Sequence, residues 1–157
     1  MDLEEGWSGP RPLLVETIGE VASAWARRST CPRARVGSVA YDARGFVIAS
    51  GFNGAPAGLP HCDQVGCLMD GGHCVRTIHA EANMIITAAR YGVSLEGANI
   101  YSTIRPCLRC TTMLIQVGVA SIVFENQYDT DDAQAMRELC SQAKLRVVST
   151  EAAGVRA

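Results

Sequence analysis

Apolar positions along the 157-residue chain recur first at helical and then at strand spacing. After Pro12, which suits a first helical turn, Leu14, Ile18, Val21 and Trp25 return every three or four residues. This predicts a helix to about residue 28, with Trp25 in the core. Residues 36–41 and 46–50 read as strands around Asp42-Ala43-Arg44-Gly45, whose glycine accepts positive φ, and so predict a hairpin. Residues 79–91 predict a helix stopped at Gly92, with Ala82, Ile85, Ile86 and Ala89 on its inner face. Residues 99–103, 120–125 and 145–149 predict three further strands, alternating with helices at 107–117 and 131–143. A hairpin followed by alternating elements implies a three-layer α/β/α sandwich with a central mixed five-stranded sheet. The whole chain, 1–157, forms one domain, with the acidic, Gly- and Pro-broken residues 1–11 outside its packed part.

Composition narrows the class. At 48% hydrophobic and 19% charged, with no apolar run near the roughly 18 residues of a membrane span, the chain reads as a soluble globular domain. A net charge of -2 offers no field to hold a polyanion, so no stable nucleic-acid partner is expected. Thirteen arginines against the single Lys144 mean that phosphate would be met by a planar guanidinium, although such a bias also follows from genome base composition. The N-terminus has neither signal- nor transit-peptide character, which implies a cytoplasmic protein.

Seven cysteines in a reducing compartment point to metal or catalysis and not to disulfides. They cluster: Cys62, Cys67 and Cys74 share the unpatterned stretch 51–78 with His61 and His73, and Cys107 and Cys110 form a pair. A connection that long without periodicity is usually functional or stapled.

Cys107 and Cys110 lie at i and i+3 on a first helical turn after Pro106, so both sulfurs can meet one ion. By itself the pair also reads as a redox motif. His79 opens the preceding helix, and helix starts gather at the carboxyl ends of strands in such folds. His79, Cys107 and Cys110 then supply three zinc ligands and leave a fourth position for water. Glu81, roughly 200° round the helix from His79 by the 3.6-residue period, is placed to carry protons and not to ligate. The alternative is a structural Cys2His site with Glu81 as a capping carboxylate.

The order His-x-Glu…Pro-Cys-x-x-Cys is the signature of zinc deaminases, in which activated water replaces an exocyclic amine and the glutamate shuttles the proton. Beyond that motif, Cys31-Pro32-Arg33-Ala34-Arg35-Val36-Gly37, Gly51 to Gly58 with Phe52-Asn53-Gly54, the run from His61-Cys62 through His73-Cys74 to Glu81, and Tyr128 resemble the deoxycytidylate (dCMP) deaminase family, especially its bacterial and phage branch. The resemblance covers about residues 31–131. It implies the cytidine deaminase-like fold and hydrolytic deamination of dCMP to dUMP and ammonia, feeding thymidylate synthesis, with Glu81 catalytic. It also implies substrate contacts from Asn53, Ala80, Tyr128, Arg33 and Arg35, with Arg76 and Arg105 as further phosphate candidates. Read without the family, Asn53 is a left-handed turn residue before Gly54, and Tyr128 is an anchor at the sheet edge. Phe52 and Gly54 would belong to an allosteric loop answering to nucleotides, with Mg2+ accompanying them. Phe52 stands where members often carry Tyr, so ring packing would stay and a hydroxyl would be lost. A homo-oligomer, commonly a hexamer, is also implied.

In some members a second, structural zinc joins the Cys31 segment to the long loop. Cys31, Cys62, Cys67 and Cys74 are the candidate ligands here, His61 and His73 their competitors, and free buried thiols the alternative. Cys140 reads as core. Other readings are deamination of CMP, dCTP or 5-substituted dCMP, a silent zinc module, and a single-strand nucleic-acid deaminase. Against the last, the only large stacking surfaces are Trp7, in the terminus, and Trp25.

Overall fold

The computed structural model describes residues 10–127 and 132–154. Their elements run α1 (Leu14–Ala26), β1 (Gly37–Tyr41), β2 (Val47–Phe52), α2 (Cys62–Val65), β3 (Met69–Asp70), β4 (His73–Cys74), α3 (Ala80–Tyr91), β5 (Asn99–Ile104), α4 (Leu108–Gln116), β6 (Ser121–Asn126), α5 (Ala133–Gln142) and β7 (Arg146–Ser149). Five strands form one sheet in the order β2-β1-β5-β6-β7. β1 is antiparallel to β2 and β5, whereas β5, β6 and β7 are parallel. The mixed five-stranded sheet of the sequence reading is therefore present. Ala40, Met84, Ile100, Leu114 and Ile122 pack between the sheet and α3 and α4; Ile18, Ala22, Val39 and Tyr101 pack between the sheet and α1. Among the described residues, no helix is long and apolar enough to cross a membrane.

The hairpin turn is as expected. Gly45 has φ of 91°, and the Asp42 carboxylate accepts the N–H groups of Arg44 and Phe46. Cys140 is buried in α5.

Both helix faces differ from the apolar stripes read off the sequence. In α1 the buried line is Ile18, Gly19, Ala22 and Ala26, with Leu14 exposed and Trp25 only half-buried. In α3 it is Ala80, Glu81, Met84 and Ala88; Ile86 and Ala89 face solvent and Ala82 and Ile85 are half-buried. The cause is close backbone approach, which selects small residues at the contact and pushes the large ones to its flanks. A Cβ on Gly37 would lie 2.0 Å from the Ala22 carbonyl oxygen, and one on Gly51 would lie 2.4 Å from that of Ala80 and 2.5 Å from the Met84 nitrogen. Gly51→Ala is therefore expected to cost about 2 kcal/mol or more, the upper part of the usual overpacking range, because backbone and not a flexible side chain must yield. Denaturant unfolding of the variant checks this.

The stretch 51–78 carries more structure than its lack of period suggested. β2 extends through Phe52, which makes that residue a strand end and not part of the loop, and its ring stacks on Trp25 at 5.9 Å and 10°. Gly54 and Ile78 then exchange two backbone hydrogen bonds, and α2 and the short β3–β4 ribbon lie between them.

Candidate active site

α3 and α4 start side by side on one face of the sheet. His79 is the N-terminal flanking residue of α3, held in extended conformation directly after the Gly54–Ile78 bridge, and Asn83 of the same helix donates its amide to the Phe52 carbonyl. Cys107 occupies the equivalent position of α4. It follows the buried Pro106, while the Arg105 amide donates to the Asn126 carbonyl and fixes the end of β5 against β6. The Leu108 amide, an orphan donor of the first turn of α4, is accepted by the Asp132 carboxylate.

The imidazole Nδ1 of His79 lies 3.5 Å from the Cys107 sulfur and 3.6 Å from the Cys110 sulfur, and all three ligand atoms lie within 4.8 Å of one another. A tetrahedral ion with Zn–S of about 2.3 Å and Zn–N of about 2.05 Å needs N···S edges of about 3.6 Å. The donor set and spacing fit zinc. Three protein donors would leave one position for a small molecule, and His79 is the exposed member of the set. The Cys107 thiol falls to about 4 because Cys110 donates a hydrogen bond to it and His79 pairs with it; the same bond pushes Cys110 up. His79 is raised by its bond to Cys107. The lowered Cys107 favours thiolate, the form that binds metal.

Glu81 is 4% exposed, and burial raises its carboxyl above the ordinary range. It stands outside the three-donor cluster, with Oε1 accepting a 2.9 Å hydrogen bond from the Ser102 hydroxyl of β5. Ser102 escaped the sequence reading: a serine in a strand carries no motif, and only the pleat, which turns it toward α3, could have flagged it.

The second candidate set also assembles. The sulfurs of Cys31, Cys62, Cys67 and Cys74 lie within 4.8 Å of one another, and Cys62 and Cys74 are 3.7 Å apart, close to the S···S edge of about 3.8 Å around tetrahedral zinc. Burial pushes Cys62 up to about 12; Cys74, although burial acts on it in the same sense, is brought down to about 7 by the Arg76 amide. His61 and His73 are not in this group. His61 instead pairs through Nδ1 with the Thr30 hydroxyl, and His73 is exposed on β4.

The remaining candidates are dispersed. Asn53 is buried; its Oδ1 accepts from the Val36 amide and its Nδ2 donates to the Ala34 carbonyl. Its φ is not positive, so the left-handed turn reading is wrong; the side chain braces the entry to β1 instead. Ala80 is fully buried in the first turn of α3. Arg33 and Arg35 are exposed, with Arg33 donating to the Gly72 carbonyl. Arg76 donates to the Gly66 carbonyl, and Arg105 is 7% exposed. Tyr128, and residues 1–9 of the expected unpacked terminus, lie outside the described residues.

Comparison with known proteins follows the same lines. ComE operon protein 2 of Bacillus subtilis (strain 168) is 43% identical over 127 residues, 80% of this chain and 65% of that one. The deoxycytidylate deaminase of Schizosaccharomyces pombe is 33% identical over 144 residues, 87% of this chain and 44% of that one. The chain thus spans less than two thirds of either relative. The crystal structure of dCMP deaminase from the cyanophage S-TIM5 in complex with dCMP and dUMP matches with a TM-score of 0.76 at 26% identity, over 90% of this chain and 99% of that one. The model of the cytidine and deoxycytidylate deaminase zinc-binding region matches residues 15–126, a span that holds both halves of the three-donor cluster, and the chain belongs to that family.

Proposed function

We propose that the chain is a zinc-dependent deaminase that converts dCMP to dUMP and ammonia. The observation that carries this reading is a buried carboxylate held beside, and not within, a three-donor metal cluster. His79, Cys107 and Cys110 would hold zinc, which when bound lowers the pKa of water toward neutrality. The chain's own residues do the rest. Glu81 takes a proton from the attacking water, delivers it to N3 of the cytosine ring, and serves the departing amine at C4 in the same way, leaving carbonyl oxygen at C4 and free ammonia. Burial suits Glu81 to this, since it raises the carboxyl and makes it a stronger proton acceptor than a solvated carboxylate.

In the same reading Asn53 meets the deoxyribose. Its Nδ2 gives one hydrogen to the Ala34 carbonyl and has a second to offer a sugar hydroxyl. Ala80 lies under the base, Tyr128 near base and phosphate, and Arg33 or Arg35 at the phosphate. Cys31, Cys62, Cys67 and Cys74 hold a structural zinc that ties the 29–35 segment to the loop. Support for that second ion is the fourfold convergence of sulfurs at tetrahedral spacing. Homo-oligomeric assembly, a nucleotide response with Mg2+ through Phe52 and Gly54, and cytoplasmic location rest on the resemblance and the sequence alone.

Ammonia release by the zinc-loaded protein from dCMP, CMP, dCTP, 5-methyl-dCMP, deoxycytidine and a single-stranded oligonucleotide tests the reading. The expected order places dCMP first in kcat/KM, with deoxycytidine at least about 100-fold lower, the value of roughly two charge-assisted phosphate contacts. Absence of turnover with dCMP, or a preference for the oligonucleotide, overturns it.

A further inference from the structure

We infer that Ser102 is a positioning residue of the deamination site, fixing the orientation in which the Glu81 carboxylate meets the reacting water. The inference rests on the reading of Glu81 as the proton carrier. Ser102 sits at the centre of the sheet, paired with Ser38 of β1 on one side and Phe124 of β6 on the other, and is completely buried. Its hydroxyl is aimed across the layer boundary at Oε1 of Glu81, 2.9 Å away. The terminal torsion of a glutamate is broad and roughly two-fold, so packing of its stem does not choose the plane of the carboxylate. A donor on a rigid element does. Helix α3 is already fixed at this point by the contact of Gly51 with the Ala80 carbonyl and by the Gly54–Ile78 bridge. With the helix fixed and the side chain buried, the terminal rotor is what the Ser102 hydroxyl sets.

The Cys110 thiol also faces this carboxylate. Ser102 is the donor that reaches Glu81 from the rigid sheet. It holds Oε1, and with it the plane in which the carboxylate lies.

Ser38 supplies the internal control. It lies directly opposite Ser102, is equally buried and faces the same helix, but its hydroxyl points at the Met84 sulfur, 3.7 Å away, and touches nothing in the site.

The test compares Ser102→Ala, Ser102→Thr and Ser38→Ala in the zinc-loaded protein. Ser102→Ala is expected to lower kcat by about 10- to 100-fold, the usual effect of removing a partner that orients a metal-site group. KM and zinc content should stay within about twofold of wild type. Ser102→Thr restores most of the loss, and Ser38→Ala keeps wild-type kcat whatever it does to thermal stability. In crystals of the zinc-loaded Ser102→Ala protein the Glu81 carboxylate is expected in more than one orientation. Wild-type kcat in Ser102→Ala, or a carboxylate that keeps its single wild-type orientation, overturns the inference. A zinc-loaded wild type inert toward dCMP overturns the assigned substrate instead, and the crystallographic arm still decides the role of Ser102.

Discussion

Zinc-loaded Glu81→Ala protein is expected to turn over dCMP about 100- to 10,000-fold more slowly than wild type, the range set by loss of a positioned general acid–base, with its zinc content unchanged. The reason is the separation of roles in the geometry. His79, Cys107 and Cys110 converge without Glu81, so removing the carboxylate spares the ligands. Yet this group has the burial and the fixed orientation needed to move a proton twice in one turnover. Glu81→Gln sharpens the result. The amide oxygen still accepts from Ser102 and the volume is kept, so a loss as large as that in the alanine variant assigns the effect to the proton and not to packing. Steady-state ammonia release with metal analysis of the same samples checks both; turnover within a few-fold of wild type excludes Glu81 as the carrier.

The second large effect is expected at the four-cysteine cluster. Wild-type protein should hold two zinc ions per chain and Cys62→Ser one. Cys62 is buried and opens α2, with its sulfur 3.7 Å from that of Cys74, so serine keeps the shape and removes the soft ligand. Structural zinc binds with about 10–16 kcal/mol of apparent free energy, as much as the whole stability of a typical domain, about 5–15 kcal/mol. Apart from a few hydrogen bonds, such as those of Arg33 to Gly72, Arg76 to Gly66 and Thr30 to His61, a segment organised by two-residue strands and a four-residue helix has little else to hold it. The variant loop should become sensitive to protease between residues 59 and 75 under conditions in which wild type resists. Metal stoichiometry and limited proteolysis read this out, and one zinc in wild type would dismiss the second site.

How far the sequence could be read depends on what each position advertises. The three-donor cluster was legible because Cys and His are chemically distinctive and sit where helices begin. The mixed sheet was legible because strand and helix periods alternate cleanly after the hairpin. The helix faces were misjudged at Leu14, Ile86 and Ala89 because a count of large apolar residues overlooks a glycine on the partner strand, and at Gly37 and Gly51 that glycine decides which face seats. The four-cysteine set could not be separated from His61 and His73 by composition; distances make the separation, and Thr30 accounts for His61. Phe52 looked like a loop residue because its strand ends in Asn-Gly, yet Gly37 pairs with it and Trp25 covers its ring. Ser102 gave no signal, since its importance lies in one hydrogen bond to another layer.

The two clusters also differ in where their donors lie along the chain. Every sulfur of the four-cysteine set precedes α3, whereas the other set is complete only when Cys110 has been made. At a synthesis rate of about 5–20 residues per second, the four-cysteine donors are available a few seconds before the catalytic ones, on a nascent chain that has already made the β1–β2 hairpin but not β5. On the two-zinc reading proposed above, the four-cysteine set can therefore meet a metal ion before the His79 set is complete. On the same reading, scarce zinc would leave chains with a loaded loop and an empty His79 set.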